Sequence, residues 1–160
     1  MREIHLSNGM NALVDDGDFE YLNKFHWYAV KRHNTFYAMR DYYPHHGSRR
    51  KNLLMHRDIL SPDSSQDVDH IDGNGLNNQR NNIRACSHRE NMINRGLQSN
   101  NKSGFKGVSW STKRGKWESR INVLGKSKYL GYFNDPVDAA RAYNLASLKY
   151  HGEFSRIVDV

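Results

Sequence analysis

The N-terminal part of the chain alternates short apolar runs with turn-forming residues. "EIHLSNG" and "NALVDDGD" place apolar residues between polar ones and end in turn residues, which favours two strands. "DFEYLNKFHWYAV" begins with helical spacing and then becomes extended, and "TFYAMRDYY" alternates as a strand does. This pattern predicts a strand-rich module over residues 1–52, whose core contains Trp27, Tyr28, Phe36 and Tyr37.

A short helix and a hairpin are predicted in the centre of the chain. The run "LLMHRDIL" at 53–60 has the character of a short helix that stops before Pro62. Residues 67–71 and 82–85 favour two strands, and the glycines and asparagines of 73–80 favour a loop between them. These residues therefore predict a hairpin.

The helix after the hairpin has a clear start in the sequence. "SHRE" is a Ser-x-x-Glu capping box, so Ser87 is the predicted N-cap and Glu90 closes the box. Gly96 favours the end of this helix because glycine tolerates the left-handed conformation found there. The predicted central module is thus 53–96, and the polar segment 97–103 is a predicted linker.

Three further strands and one helix are predicted after the linker. "FKGVSW", "KWESRINV" and "KYLGYF" read as strands separated by turn-like segments. Asp135 is the predicted N-cap and Pro136 the first residue of a helix that Gly152 ends. One face of this helix carries Ala139, Ala142, Tyr143, Ala146 and Tyr150. The fold class predicted for the whole chain is α+β, and residues 104–160 form a three-stranded antiparallel sheet packed on one C-terminal helix.

Composition narrows the class of protein. With 37% apolar residues, 26% charged residues and a mean hydropathy of −0.89, the 160-residue chain favours two or three small modules over one large core. The single cysteine, Cys86, excludes an internal disulfide and a cysteine-based zinc cluster. The chain lacks a long apolar run and a signal-peptide pattern, so we expect a cytoplasmic protein with no membrane partner.

The positive charge is concentrated in one segment. The chain carries a formal net charge of +7, and residues 96–133 hold eight basic residues and one acidic residue, so this segment alone accounts for the excess. Nucleic acid is the expected partner of such a patch. The strand "KWESRINV" has one polar face, formed by Glu118, Arg120 and Asn122, that suits hydrogen bonding to bases. Four lysines are candidates for contacts with backbone phosphates: Lys106, Lys116, Lys126 and Lys128.

The predicted central hairpin and helix carry two candidate metal ligands and a candidate general base. Asn91 lies one turn into the predicted helix and can face Asp69 on the first strand, and their oxygens are the hard ligands that Mg²⁺ prefers. His70 sits beside Asp69 and is suited to act as a general base for water. Alternation points it to the opposite face of an ideal strand, so a twist at the hairpin is needed to bring both residues to one phosphate. His88 is an alternative to Asn91 for the third position of the site, and the remaining histidines, His33 among them, are interpreted as structural or exposed.

The stretch "VDHIDGNGLNNQRNNIRACSHRENMINR" resembles the HNH nuclease motif in the form found in phage and intron-encoded homing endonucleases. The resemblance implies a ββα-metal fold in which Asp69 binds the divalent metal and His70 activates the attacking water. It also implies that Asn82 holds the hairpin and orients His70. Asn91 stands where many members carry histidine, which favours Mg²⁺ or Mn²⁺ over zinc. The His56-Arg57 pair resembles the helix that precedes the motif.

The C-terminal segment resembles the Apetala-two (ethylene-response-factor) DNA-binding domain, through "FKGV", "GKW", "YLGYF" and "AARAYNLASLKYHGE". The resemblance implies that the sheet lies in the major groove of double-stranded DNA. The residues expected to face DNA by position are Lys106, Ser109, Trp110, Arg120, Asn122 and Tyr129. Plant members carry arginine where Asn122 and Ser127 stand here, so the target sequence does not transfer.

Taken together, these features predict a metal-dependent DNA endonuclease of the phage homing type, acting in the host-cell cytoplasm if it is phage-encoded. The central module would cut a phosphodiester bond, and the basic C-terminal sheet would hold the site. One active unit per chain favours a monomer or a weak dimer. The alternative is a DNA-binding regulator without catalytic activity. An RNA-binding or RNA-cleaving protein is a weaker third possibility because the chain has no RNA-recognition signature.

Overall fold

The computed structural model describes residues 1–32, 34–157 and 160, and the chain forms two compact units, Met1–Asn91 and Met92–Val160. His33, predicted to be structural or exposed, lies outside these ranges, as do Val158 and Asp159. Helices and antiparallel sheets occur together, which confirms the predicted α+β class. No helix of the described ranges combines the length and the apolar character that a membrane crossing requires.

The first unit is built from small antiparallel sheets and short helices. One sheet pairs β1 (Arg2–His5) with β2 (Asn11–Val14). A second has the order β3 (Tyr28–Arg32), β4 (Thr35–Tyr42) and β5 (Lys51–Leu54), and a third pairs β6 (Asp67–His70) with β7 (Ile83–Cys86). Helix α1 spans Asp16–Leu22 and α2 spans Met55–Leu60. Helix α3 (His88–Asn94) follows β7 and runs across the boundary between the units at Asn91.

The core of the first unit forms where the N-terminal sheet meets α1 and β4. Alternation along β1 and β2 buries Ile4 and Val14, and Trp27 is 1% exposed and donates its indole N–H to the carbonyl of Leu22 at 2.8 Å. The strand-rich N-terminal region and the buried Trp27 are therefore confirmed. Tyr28, Phe36 and Tyr37, which were predicted in the core with Trp27, are half-buried.

The helix predicted at 53–60 begins later than the sequence indicates. Leu53 and Leu54 lie in β5 and pair with Arg40 and Met39 of β4, and the helix starts at Met55. This pairing joins residues distant in the chain, which a local pattern does not show. Strand β5 (Lys51–Leu54) therefore crosses the module boundary that was predicted between residues 52 and 53. The four predicted domain ranges stay predictions.

The predicted capping box is present at the start of α3. The backbone N–H of Ser87 donates to the Glu90 carboxylate at 2.8 Å, and the N–H of Glu90 donates to the Ser87 hydroxyl at 3.3 Å. These two hydrogen bonds satisfy donors that a helix start otherwise leaves unpaired. The hairpin of β6 and β7 is thereby followed directly by a well-defined helix.

The second unit is a three-stranded sheet with one helix packed on it, as predicted. The strands are β8 (Val108–Ser111), β9 (Lys116–Val123) and β10 (Lys126–Phe133) in the antiparallel order β10-β9-β8, and helix α4 spans Pro136–His151. Asp135 caps the helix by accepting the N–H of Val137 at 2.7 Å. Ala139, Tyr143 and Ala146 are buried against the sheet, whereas Ala142 is half-buried. Tyr150, predicted on this face, is instead exposed.

Gly107 is expected to be essential for the packing of helix and sheet in the second unit. Its φ is +71°, and a Cβ there would lie 2.1 Å from the Tyr143 ring and 2.6 Å from the carbonyl oxygen of Arg120. Gly107→Ala should lower the free energy of unfolding by about 3 kcal/mol, from left-handed strain and steric overlap together. Gly125→Ala is the control, since Gly125 has φ +75° and open space around it, and should cost about 1 kcal/mol. Amide hydrogen exchange in β9 measures both losses, and equal losses would contradict the steric argument.

Candidate active site

The asparagine-rich loop between β6 and β7 is held together by its own side chains. The amide nitrogen of Asn82 donates to the Asp72 carboxylate at 3.0 Å and to the carbonyl of Asn77 at 2.8 Å, and its oxygen accepts the N–H of Asp72 at 3.1 Å. Burial raises the pKa of Asp72, but hydrogen bonds from Asn74, Asn77 and Asn82 outweigh it and hold this pKa below its usual value. Asn82 therefore closes the base of the loop.

Backbone hydrogen bonds attach the same loop to the N-terminal strands. The N–H of Leu13 in β2 donates to the carbonyl of Leu76, and the N–H of Asn78 donates to the carbonyl of Leu13, both at 2.8 Å. The N–H of Gly75 donates to the hydroxyl of Thr35 in β4 at 3.0 Å. The approach is close at Gly75, where a Cβ would lie 2.4 Å from the carbonyl oxygen of Phe36.

An ion pair anchors the far end of the loop to α1. The guanidinium of Arg80 donates to both carboxylate oxygens of Asp18, at 2.7 and 2.8 Å, and the backbone N–H of Arg80 donates to Asp15 at 2.8 Å. A two-point contact of this kind fixes direction as well as distance. The loop is thus fixed at its middle and at its end by residues of the strand-rich N-terminal region.

His70 lies at the end of β6 and is 5% exposed. Its Nε2 is 3.3 Å from the amide oxygen of Asn78, which is completely buried. The ring of His56 lies 4.9 Å from the His70 ring, centroid to centroid, and that of Tyr37 lies at 5.6 Å, both edge-on. The candidate base is therefore enclosed by two aromatic rings and one amide.

Burial keeps the two central imidazoles neutral. It lowers the pKa of His70, although Asn78, Asp72 and Asp69 act in the opposite direction. Burial, followed by the proximity of His70, lowers the pKa of His56 to about 3. The Nδ1 atom of His56 is buried and has no hydrogen-bond partner among the described residues. Both rings are therefore uncharged near neutral pH, and His70 is able to accept a proton.

Asp69 is paired with an arginine from the facing strand. It is 5% exposed and lies opposite Arg84 in the register of β6 and β7. The Nε and Nη2 atoms of Arg84 donate to Oδ2 of Asp69 at 3.1 and 2.8 Å. A buried carboxylate is costly without such a partner, and the arginine supplies it.

The structure places Asn91 against Asp67. The Asn91 amide nitrogen donates to Oδ2 of Asp67 at 3.0 Å, and Nδ1 of the exposed His88 lies 2.9 Å from the same oxygen. These two contacts, with Asn91 contributing most, lower the pKa of Asp67. Asp67 and Asp69 alternate with Val68 along β6, so both carboxylates belong to one face of the strand. That Asn91 and Asp69 share a metal ion stays a prediction.

The oxygen atoms of two carboxylates on β6 and one amide on α3 suit a hard divalent cation. Carboxylates at Asp67 and Asp69 and the amide of Asn91 offer oxygen atoms, which Mg²⁺ and Mn²⁺ accept. No cluster of three or more histidine, cysteine, aspartate or glutamate side chains with metal-binding geometry occurs in the described part of the chain.

In the second unit, eight of the nine residues predicted to contact DNA are exposed: Ser109, Trp110, Lys116, Arg120, Asn122, Lys126, Lys128 and Tyr129. The opposite face of β9 is buried at Ser119 and Ile121, so the polar face is the outer one. Arg120 donates to Glu118 at 2.8 Å and lies 5.8 Å from the centre of the Tyr129 ring. Contact of these residues with DNA stays a prediction.

Lys106 differs from the other eight. Its ammonium donates to the carbonyls of Ile93 and Arg95, the second at 2.7 Å, and burial, followed by the proximity of Arg156, lowers its pKa to about 8. These carbonyls lie at the end of α3, where a cation is favoured by the helix dipole. The structure gives Lys106 a capping contact, and a DNA contact there stays a prediction.

Sequence reasoning missed four residues of the central site: Arg84, Asp67, His56 and Asn78. Arg84 is the easiest to find, because pairing the two predicted strands places it opposite Asp69. His56 lies in the helix that resembles the family's lead-in helix, but its contact with His70 joins distant parts of the chain. The roles of Asp67 and Asn78 depend on side-chain direction, which the sequence pattern does not give.

Comparison with known proteins finds similarity in both units. Residues 61–93 match the family model described as HNH endonuclease. Protein 3.8 of Escherichia phage T7 is 34% identical over 89 residues, which cover 56% of this chain and 73% of that protein. APETALA2-like protein 2 of Oryza sativa subsp. japonica is 44% identical over 50 residues, 31% of this chain and 12% of that protein. AP2-like ethylene-responsive transcription factor TOE2 of Arabidopsis thaliana is 44% identical over 50 residues, 31% of this chain and 10% of that protein. The chain thus spans only about a tenth of these two plant proteins.

The buried His56 should make the stability of the protein depend on pH. Its pKa is about 3 in the folded chain and near its ordinary value of 6.5 in the unfolded chain, so the unfolded state binds more protons between these values. Stability should therefore fall as the pH decreases from 6.5 to 5, with His56 contributing up to about 1.4 kcal/mol per pH unit.

Urea unfolding of His56→Phe over this pH range tests the expectation. The variant keeps an aromatic ring and should show a flatter dependence than the wild type. His26→Gln, which changes an exposed histidine of the same unit, should leave the dependence unaltered. A His56→Phe curve parallel to that of the wild type would show that His56 is not the group that titrates on unfolding.

Proposed function

Because the chain belongs to the HNH endonuclease family, with an Apetala-two-like C-terminal segment, we propose that it hydrolyses phosphodiester bonds of double-stranded DNA with the help of Mg²⁺ or Mn²⁺. The observation that carries the proposal is the hairpin and helix within residues 61–93, in which a buried neutral imidazole is next to a carboxylate on the strand. A general base and a hard-cation ligand are the two groups that hydrolysis of a phosphodiester needs.

His70 is the proposed general base. The oxygen of a water molecule forms a bond to phosphorus while one of its protons passes to the His70 imidazole. The bond between phosphorus and the leaving oxygen breaks, and that oxygen takes a proton from solvent. Burial supports this role, because it lowers the pKa of His70 and so keeps the ring able to accept a proton at neutral pH.

Asp69 and Asn91 are the proposed metal ligands. When bound, a divalent cation would neutralise the negative charge that develops on the phosphate and the leaving oxygen. Asp69 is held by Arg84, and Asn91 by the first turns of a helix with a complete capping box. Asn82 is proposed to act through the loop, since its hydrogen bonds close the segment that connects the two strands of the site.

The C-terminal sheet is proposed to hold the DNA. Its outer face exposes Lys116, Arg120 and Asn122. Lys126 and Lys128 are also exposed, on the neighbouring strand β10, where they pair with Val123 and Ile121 of β9. The concentration of the excess charge in residues 96–133 supports contacts with phosphates, and Arg120 and Asn122 are suited to base edges. The similarity to a phage protein supports the host-cell cytoplasm as the place of action. We propose a monomer or weak dimer as the active form.

Replacing the proposed base should separate cleavage from binding. His70→Ala should reduce the rate of supercoiled-plasmid cleavage in Mg²⁺ by about 100-fold or more, the typical contribution of a general base. Binding to a DNA duplex, measured by fluorescence anisotropy in EDTA, should change little because His70 is buried and the residues proposed to contact DNA are others. Circular dichroism checks that the variant folds.

His88→Ala is the matched control for the base, since His88 is exposed and follows the same hairpin. It should retain most of the cleavage activity. Wild-type rates for His70→Ala, or loss of activity only in His88→Ala, would reject His70 as the base. A wild-type protein that binds DNA but leaves the plasmid intact in both metals would favour the regulator over the nuclease.

The salt dependence of binding tests the role of the C-terminal sheet. Three exposed lysines should be changed to glutamine together: Lys116, Lys126 and Lys128. The slope of log K against log salt concentration should fall in magnitude by about 3, since each phosphate contact contributes about 0.9. A control with the same loss of charge changes three exposed lysines of the first unit: Lys24, Lys31 and Lys51. Equal slopes for the two variants would show that the C-terminal sheet is not the anchor.

A further inference from the structure

The side chain of Asn78 is completely buried and has a single possible orientation. Its amide nitrogen donates to the backbone carbonyl of Leu76 at 3.2 Å, and its amide oxygen is 3.3 Å from Nε2 of His70. A carbonyl oxygen only accepts hydrogen bonds, so the NH₂ group must point toward Leu76. The amide oxygen is then the atom that points toward the imidazole.

This orientation determines which nitrogen of His70 carries hydrogen. The Asn78 oxygen has no hydrogen to give, so the contact is a hydrogen bond only if Nε2 is the donor. A neutral imidazole carries one N–H, and the other nitrogen then has the lone pair that accepts a proton. We propose that Asn78 is a positioning residue that holds His70 in the tautomer protonated at Nε2, which makes Nδ1 the basic nitrogen.

The backbone around Asn78 is fixed by the N-terminal hairpin. The carbonyl of Leu76 that orients the amide also accepts the N–H of Leu13, and the N–H of Asn78 donates to the carbonyl of the same Leu13. Both ends of the tripeptide 76–78 are therefore held by one residue of β2. The amide cannot turn without leaving a polar group unpaired in a place that water does not reach, so the observed orientation is strongly favoured.

The imidazole is restrained as well as the amide. The rings of His56 and Tyr37 lie 4.9 and 5.6 Å from the His70 ring, so rotation of that ring by half a turn would have to occur between two packed aromatic neighbours. The side-chain hydrogen bonds of Asn82 go to Asp72 and Asn77, whereas Asn78 contacts the imidazole itself. Asn78 is therefore the asparagine of this loop that controls the tautomer.

The tautomer can be measured without any cleavage assay. Long-range ¹H–¹⁵N correlation spectra of the full chain, labelled with ¹⁵N-histidine and recorded at neutral pH, distinguish a protonated from an unprotonated ring nitrogen. In the wild type, Nε2 of His70 should show the protonated type of shift and Nδ1 the unprotonated type. The reverse pattern in the wild type would overturn the proposal, whether or not any variant folds.

A variant at Asn78 tests whether this residue causes the preference. Asn78→Leu removes the acceptor at similar volume and should give a mixture of tautomers, with kcat for plasmid cleavage reduced about tenfold or more and KM little changed. Asn77→Ala is the control, because it removes a neighbouring hydrogen bond to Asp72 without touching His70. An Asn78→Leu spectrum identical to that of the wild type would overturn the proposal.

The catalytic consequence rests on the proposed nuclease function, and the two can fail separately. If the wild type does not cleave DNA while the spectra show the Asn78-dependent tautomer, the nuclease proposal fails and the positioning role of Asn78 stands. If the wild type cleaves and Asn78→Leu alters neither the tautomer nor kcat, the nuclease proposal stands and the role of Asn78 is rejected.

Discussion

The two backbone hydrogen bonds between Leu13 and the loop at 76–78 connect the N-terminal hairpin to the polar centre of the first unit. The loop has few apolar residues of its own, and an amide as deeply buried as that of Asn78 is stable only when its hydrogen bonds are made. β2 supplies the partners that fix the loop backbone, and the loop in turn places an amide against His70. A strand near the start of the chain therefore determines the environment of an imidazole in the centre.

The buried polar groups of this unit are organised in two different ways. On one face of β6, the carboxylate of Asp69 is balanced by the guanidinium of Arg84 at 2.8 Å, so charge is paired with charge. At the end of the same strand, His70 contacts the amide of Asn78 and the rings of His56 and Tyr37, and burial lowers its pKa although Asn78, Asp72 and Asp69 act in the opposite direction. A cation that approaches Asp69 must share this carboxylate with Arg84. The three contacts described for His70, with Asn78, His56 and Tyr37, are instead contacts with uncharged groups.

Local signals in the sequence predicted most of the architecture. The Ser87 capping box, the Asp135 N-cap and the limits of β9 at Lys116–Val123 all follow from residues close together in the chain. The parts that the sequence did not predict depend on contacts between distant residues. Leu54 reads as helical until its pairing with Met39 is known, because a strand of β5's length has too few residues for a pattern of its own.

The candidate site shows the same division. Asp69, His70 and Asn82 could be predicted as site residues because their spacing in the chain is distinctive, and the hairpin and helix that carry them are present. The partners of these residues were not found, since a motif specifies which side chain is needed and leaves open what it contacts. Asn78 illustrates the limit: in sequence it is one asparagine among several in a loop, and only its burial and direction separate it from Asn77.

The two units also differ in how salt affects them, and this follows from where their charges lie. The basic residues of the C-terminal sheet are exposed, so the attraction proposed between them and phosphates would be screened by dissolved ions. The contacts around His70 are buried and short, and screening by solvent ions acts on them only weakly. The proposed affinity for DNA therefore depends on exposed charges, whereas the orientation of the imidazole depends on buried hydrogen bonds. An increase in ionic strength that weakens binding is expected to leave the tautomer of His70 unchanged.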